Sequence, residues 1–148
     1  MATDTYKAVL WKAPKGAELM GYAVLSMFDN VRKDAYIPIL VRYGLERDQI
    51  EPEAWYPLQM MLDIVVEATD INNEAEIATG KAIAPGVIER FNVTDMETFL
   101  TEQVNVIAQE TVRNVPREYG YIVEQVGARH YHITKNDPYS NYMAFGYF

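Results

Sequence analysis

Tyr119-Gly120-Tyr121-Ile122-Val123-Glu124-Gln125-Val126-Gly127-Ala128-Arg129-His130-Tyr131-His132-Ile133-Thr134 is the stretch on which the fold turns. Its β-branched and aromatic residues fall in two blocks, Tyr119 to Val126 and Arg129 to Thr134, separated by a glycine, which is the pattern of a β-hairpin. Gly127-Ala128 reads as a two-residue loop of type II′, with the glycine supplying the positive φ of the first loop position. That loop sets Gln125 opposite His130, Val123 opposite His132 and Tyr121 opposite Thr134 on one face. The only two histidines of the chain then share a surface with Tyr121 and Val123. The hairpin runs into an aromatic tail with rings at Tyr139, Tyr142, Phe145, Tyr147 and Phe148. Rings at this density are expected to be ordered, covering a core, lining a ligand pocket or meeting another subunit.

Upstream of the hairpin the pattern is helical. Thr5 to Trp11 is β-prone and ends at Pro14 and Gly16, as a first strand would. Met20, Val24, Met27, Phe28 and Val31 recur at helical spacing, and Asp34 can cap a second, shorter helix that ends at Gly44. Pro52 and Pro57 introduce a third, with Leu58, Leu62, Val65 and Val66 facing inward. Asn73-Glu74-Ala75-Glu76 and Thr94-Asp95-Met96-Glu97 both have the spacing of a capping box and predict the starts of a fourth and a fifth helix. Pro85-Gly86 predicts a bend or break in the fourth, because proline brings no amide hydrogen and crowds the preceding turn. No repeat or linker divides the 148 residues. One α+β domain spanning 1–148 accounts for every segment. Its core is about five helices, and its small antiparallel sheet joins the N-terminal strand to the late hairpin.

Composition removes several classes of function. A net charge of -8 disfavours nucleic acid and anionic membrane surfaces, whose phosphates require clustered Lys and Arg. Glu46, Asp48, Glu51, Glu53, Asp63, Glu67, Asp70, Glu74 and Glu76 face only Arg47 along their stretch, which reads as a solvated acidic surface. The absence of cysteine removes disulfides, thiolate metal sites and thiol nucleophiles together. Met1 to Thr5 carries no charged leader and no apolar run approaches a membrane span, so a cytoplasmic protein is expected.

No serine sits in a nucleophile elbow, and no glycine-rich loop has phosphate-binding spacing. Two histidines at i, i+2 can share a metal, but a third ligand is not identifiable beside them. Seven methionines and eleven tyrosines are the more telling feature, since adaptable and amphipathic side chains can surround an apolar or aromatic ligand. The candidate ligand-binding residues are Tyr121, Val123, His130, His132, Tyr139 and Tyr142. No catalytic or metal-ligating set is assigned.

The Lys15-Gly16 turn into helices, the Glu51-Pro52-Glu53-Ala54-Trp55-Tyr56-Pro57 passage, the Ile77-Ala78-Thr79-Gly80-Lys81 segment and the hairpin leading into Asp137-Pro138-Tyr139 come in a suggestive order. That order resembles bacterial sensory domains of the haem-nitric-oxide-binding and 4-vinyl-reductase-like fold group. The resemblance implies a ligand-sensing or interaction domain that dimerises. The haem branch of that group has a helical histidine on the iron and a Tyr-x-Ser-x-Arg motif, whereas Tyr139-Ser140-Asn141 does not match and both histidines fall in the hairpin. Relatives in the vinyl-reductase branch carry metal-ligating cysteines, which this chain lacks. The departures speak against haem and zinc and leave any cofactor unassigned.

Three functions are therefore expected in order. The first is a non-enzymatic sensory or regulatory domain that binds a small apolar or aromatic molecule as a homodimer. The second is a protein-interaction or assembly domain without a small ligand. The third is an acid–base enzyme built on Tyr121, Glu124, His130 and His132.

Overall fold

The computed structural model describes residues 9–29 and 33–148. It is an α+β fold with a helical core and two small antiparallel sheets. The chain runs β1 (Glu18–Met20), α1 (Gly21–Phe28), α2 (Lys33–Arg42), a 3₁₀ turn (Arg47–Gln49), β2 (Trp55–Pro57), α3 (Leu58–Thr69) and α4 (Asn73–Phe91). A second helical rod follows, made of α5 (Met96–Thr98), a π-helical turn (Phe99–Gln103) and α6 (Val104–Thr111). After it come β3 (Val112–Arg113), β4 (Gly120–Gly127), β5 (His130–Asn136) and α7 (Asn141–Tyr147).

Helix α3 is the centre of the main core. Leu58, Met61, Leu62, Ile64 and Val65 are all fully buried, so this helix is covered on more than one side, against Val24, Met27 and Phe28 of α1 and Tyr36 and Leu40 of α2. A second, smaller cluster of Val87, Phe99, Leu100, Val104 and Ile107 lies beneath the hairpin. Tyr121, Val123 and Tyr131 cover it from the sheet, and Tyr147 and Phe148 cover it from the tail.

The sheets differ from the expected one. Val9 to Trp11 form no strand, and the rest of the expected first strand lies outside the described residues. The three-stranded sheet has the order β2-β1-β3, with Leu19 opposite Tyr56 on one side and Val112 on the other. The hairpin pairs only with itself among the described residues, and it gains stability by packing on α6, where Asn105 Oδ1 accepts the Tyr121 amide at 2.7 Å.

The hairpin register is also shifted. Its loop is Ala128-Arg129, flanked by Gly127 opposite His130, and a bulge between Gln125 and Gly127 leaves Val126 unpaired. Positive φ falls on Arg129, at 96°, and not on Gly127. Tyr121 therefore faces Lys135, Val123 faces Ile133, and His132 faces Glu124. Because side chains alternate along a strand, this slip sends the histidines to the face opposite Tyr121 and Val123.

Both predicted helix starts are displaced by one residue. Asn72 caps α4, accepting the Ala75 amide at 3.1 Å, and Asp95 caps α5, accepting the Thr98 amide at 2.8 Å. In each case an equally good acceptor, one residue away, takes the capping position. Helix α4 continues through Pro85 without interruption and α2 through Pro38, because tertiary packing outweighs the one amide bond that each proline removes.

The tail is ordered. Ser140 caps α7 by accepting the Met143 amide at 3.0 Å, and the helix lies against α4 at backbone contact. Phe145 nevertheless stands 73 % exposed and Tyr142 46 %, so only part of the aromatic surface is covered by the chain itself.

Candidate functional site

A cavity of about 100 Å³ lies where the two apolar clusters meet. Leu19 of β1 and Met27 of α1 wall it on one side, and Ile83 and Val87 of α4 with Val104 and Ile107 of α6 on another. Tyr121, Asp137, Tyr139, Met143 and Tyr147 close it from the hairpin and tail. Helical spacing turns these residues of α1, α4 and α6 to the same interior, and the hairpin dips Tyr121 into it through the pleat.

The polar groups on this apolar wall are few. The hydroxyl of Tyr22, a buried residue of α1, has no hydrogen-bond partner. The ring of Tyr22 is held under the Arg90 guanidinium, 4.3 Å from the ring centre, and tilts against Phe91. Asp137 is buried, and its Oδ1 accepts both the Lys135 ammonium and the Tyr139 amide at 3.0 Å. Its Oδ2 has no partner of hydrogen-bond geometry, although the carboxylate acts on the Tyr121 hydroxyl beside it. A buried polar atom left without a partner costs about 1–3 kcal/mol, so the Tyr22 hydroxyl is a strong place for a ligand or a water to bind.

Burial is the largest cause that raises the hydroxyl pKa of Tyr22, Tyr121, Tyr139 and Tyr147 above the ordinary value, and Asp137 raises Tyr121 and Tyr139 further. These hydroxyls keep their protons at neutral pH and act as hydrogen-bond donors or acceptors, not as phenolate bases. The cavity can thus hold a small apolar body and orient it by one or two polar contacts. It is smaller than the engineered cavity of about 150 Å³ that accepts benzene. A haem does not fit it, since the porphyrin ring is far larger and no histidine stands on its wall. Among the described residues no three His, Asp or Glu lie close enough to hold a metal ion.

Of the candidate residues, Tyr121 and Tyr139 line this cavity. Val123 packs on the second cluster just outside it. His130 and His132 do sit together, with ring centres 5.3 Å apart, but both are exposed on the outer face of the hairpin. The acid–base grouping of these histidines with Tyr121 is therefore not formed. Tyr142 stands apart from the cavity on a surface cleft. Sequence reasoning missed Tyr22 and Asp137. The Asp137-Pro138 pair after the hairpin was a visible signal for Asp137, while nothing in the apolar stripe of α1 marked Tyr22 as different from a core residue. Comparison with known proteins adds no relative, as no family model, no curated protein and no solved structure matches the chain.

Proposed function

We propose that this chain is a non-enzymatic sensory or regulatory domain that binds a small apolar or aromatic molecule in the central cavity. The observation that carries the reading is the unpartnered buried hydroxyl of Tyr22, with the buried Asp137 carboxylate on the same wall, in an otherwise apolar pocket of methionine, tyrosine and aliphatic side chains. A small ligand bearing one hydroxyl, such as a short-chain alcohol, can accept from Tyr22 or donate to Asp137. The tyrosines hold their protons, which suits recognition better than proton abstraction. The resemblance of segment order to dimeric sensory domains belongs to this same proposal, as do a cytoplasmic setting and a homodimeric state. No helix among the described residues is long and apolar enough to cross a membrane.

Native mass spectrometry and thermal shift across a panel of short-chain alcohols, small aromatics and short lipids test the reading. A binder should raise the melting temperature of the wild type, and Tyr22→Phe should weaken its binding about tenfold, as loss of one buried hydrogen bond does. A panel without binders, or a binder indifferent to both Tyr22→Phe and Val104→Phe, would falsify it.

Exposure of Phe145 and Tyr142 on α7 favours a second reading, an assembly domain in which these rings meet another subunit. Size exclusion of Phe145→Ser against the wild type separates the two. A monomeric variant that still binds cavity ligands keeps the sensor reading, and a wild type that is dimeric yet binds nothing favours assembly.

A further inference from the structure

Of the acidic run from Glu46 to Glu76, only Glu76 is buried, at 1 % exposure. It stands in the first turn of α4 and lines a cleft of about 410 Å³ separate from the central cavity, together with Leu10, Trp11, Ile71, Lys135 and Tyr142. A carboxylate removed from water calls for a counter-charge or several donors. Glu76 has one such donor, the Ser140 hydroxyl on Oε2, while Oε1 has no partner. Ser140 can give no more, because its single proton goes to Glu76 and its oxygen accepts the Met143 amide.

The cleft's own cation is already engaged. Lys135 donates to Asp137 Oδ1 and to the carbonyls of Asp137 and Tyr139, which uses all three ammonium protons. Trp11, a wall residue of the same cleft, carries a second orphan, its indole nitrogen, a buried donor without an acceptor. Two wall residues are also strained. Trp11 has φ 58° and Ile71 has φ 51°, a region that bulky and β-branched residues avoid. Trp11 is pinned in that conformation by its amide on the Pro138 carbonyl at 2.6 Å and its carbonyl under the Gln59 amide at 3.0 Å. Strain held in place beside unpartnered polar groups is a feature of ligand sites.

We infer that this cleft binds a small primary ammonium compound that also carries a hydroxyl or carbonyl oxygen. Its ammonium donates to Glu76 Oε1 and supplies the missing positive charge, its oxygen accepts from the Trp11 indole N–H, and the Trp11 and Tyr142 rings flank the cation. The inference is independent of the central cavity, which shares no lining residue with this cleft.

The test is an NMR titration of the full chain at neutral pH with ethanolamine, and with ethylene glycol as the neutral molecule of the same size. The chain has two tryptophans, so the Trp55 indole signal serves as an internal control for the Trp11 signal. Ethanolamine should move the Trp11 signal in a saturable way, at concentrations about tenfold lower than ethylene glycol, and leave Trp55 in place. Glu76→Gln keeps the shape, removes the charge and should abolish the difference between the two compounds. Equal responses to both compounds, or no shift of the Trp11 signal, would mean that the orphans are served by water alone and would overturn the inference. Should Glu76→Gln fold poorly, the comparison of the two compounds on the wild type decides by itself.

Discussion

At the scale of single residues, the corrections at Asp95 and Arg129 can each be checked by one substitution. Asp95 gathers the Thr98 amide, the Thr98 hydroxyl at 2.9 Å and the Thr94 hydroxyl at 3.2 Å, and the Thr98 amide is the first cause holding its pKa below the ordinary value. Asp95→Ala should therefore lower the denaturation midpoint more than Thr94→Ala, which removes only a donor to the cap. A depressed carboxylate stabilises above its unfolded pKa, so the gap between the two variants should close as pH falls below about 4. The reverse ranking at neutral pH would return the cap to Thr94. At the hairpin loop, Arg129 has φ 96°, where only glycine is at ease. Arg129→Gly should stabilise the chain by about 1 kcal/mol in urea denaturation. A loss of stability would mean that the turn is built otherwise.

At the scale of elements, the docking of α7 on α4 rests on two glycines. A Cβ at Gly80 would stand 2.0 Å from the Met143 carbonyl oxygen, and one at Gly146 would stand 2.1 Å from that of Ile77. Both obstacles are backbone, so neither can turn aside, and α7 must move off α4 to make room. Gly80→Ala and Gly146→Ala should each cost about 3 kcal/mol or more, by overpacking. Gly127→Ala meets nothing nearer than the His130 Cβ at 3.4 Å and should stay within about 0.5 kcal/mol of the wild type. Matching midpoints for all three variants would contradict the helix contact. The helices themselves were legible in the sequence, since apolar stripes and capping residues act within one element. The three-stranded sheet was not, because Glu18–Met20, Trp55–Pro57 and Val112–Arg113 are too short to show an alternating pattern and exist only through one another. One unpaired residue, Val126, decided which face the histidines occupy, and a bulge leaves no mark in local composition.

At the scale of the whole molecule, the tyrosines were legible as pocket residues in kind but not in position, because burial depends on how distant segments close around them. Tyr22, Tyr121, Tyr139 and Tyr147 come from α1, β4, the tail and α7, and all have hydroxyl pKa values raised above the ordinary 10.0, with burial the largest cause. The folded state holds these protons to higher pH than the unfolded chain does. Above pH 10 the unfolded state binds fewer protons, so stability falls as pH rises. Below it the contribution is fully present and the midpoint should be flat in this respect. Each fully buried hydroxyl contributes at most about 1.4 kcal/mol per pH unit in that window, and the more exposed ones less because water screens them. Urea midpoints followed together with tyrosinate absorbance between about pH 8 and pH 12 test this. The four cavity tyrosines should ionise only as the chain unfolds. If Tyr22, Tyr121, Tyr139 and Tyr147 instead ionise near the ordinary 10.0 with the fold intact, water reaches the cavity freely, and the apolar surroundings on which the proposed ligand site depends do not exist.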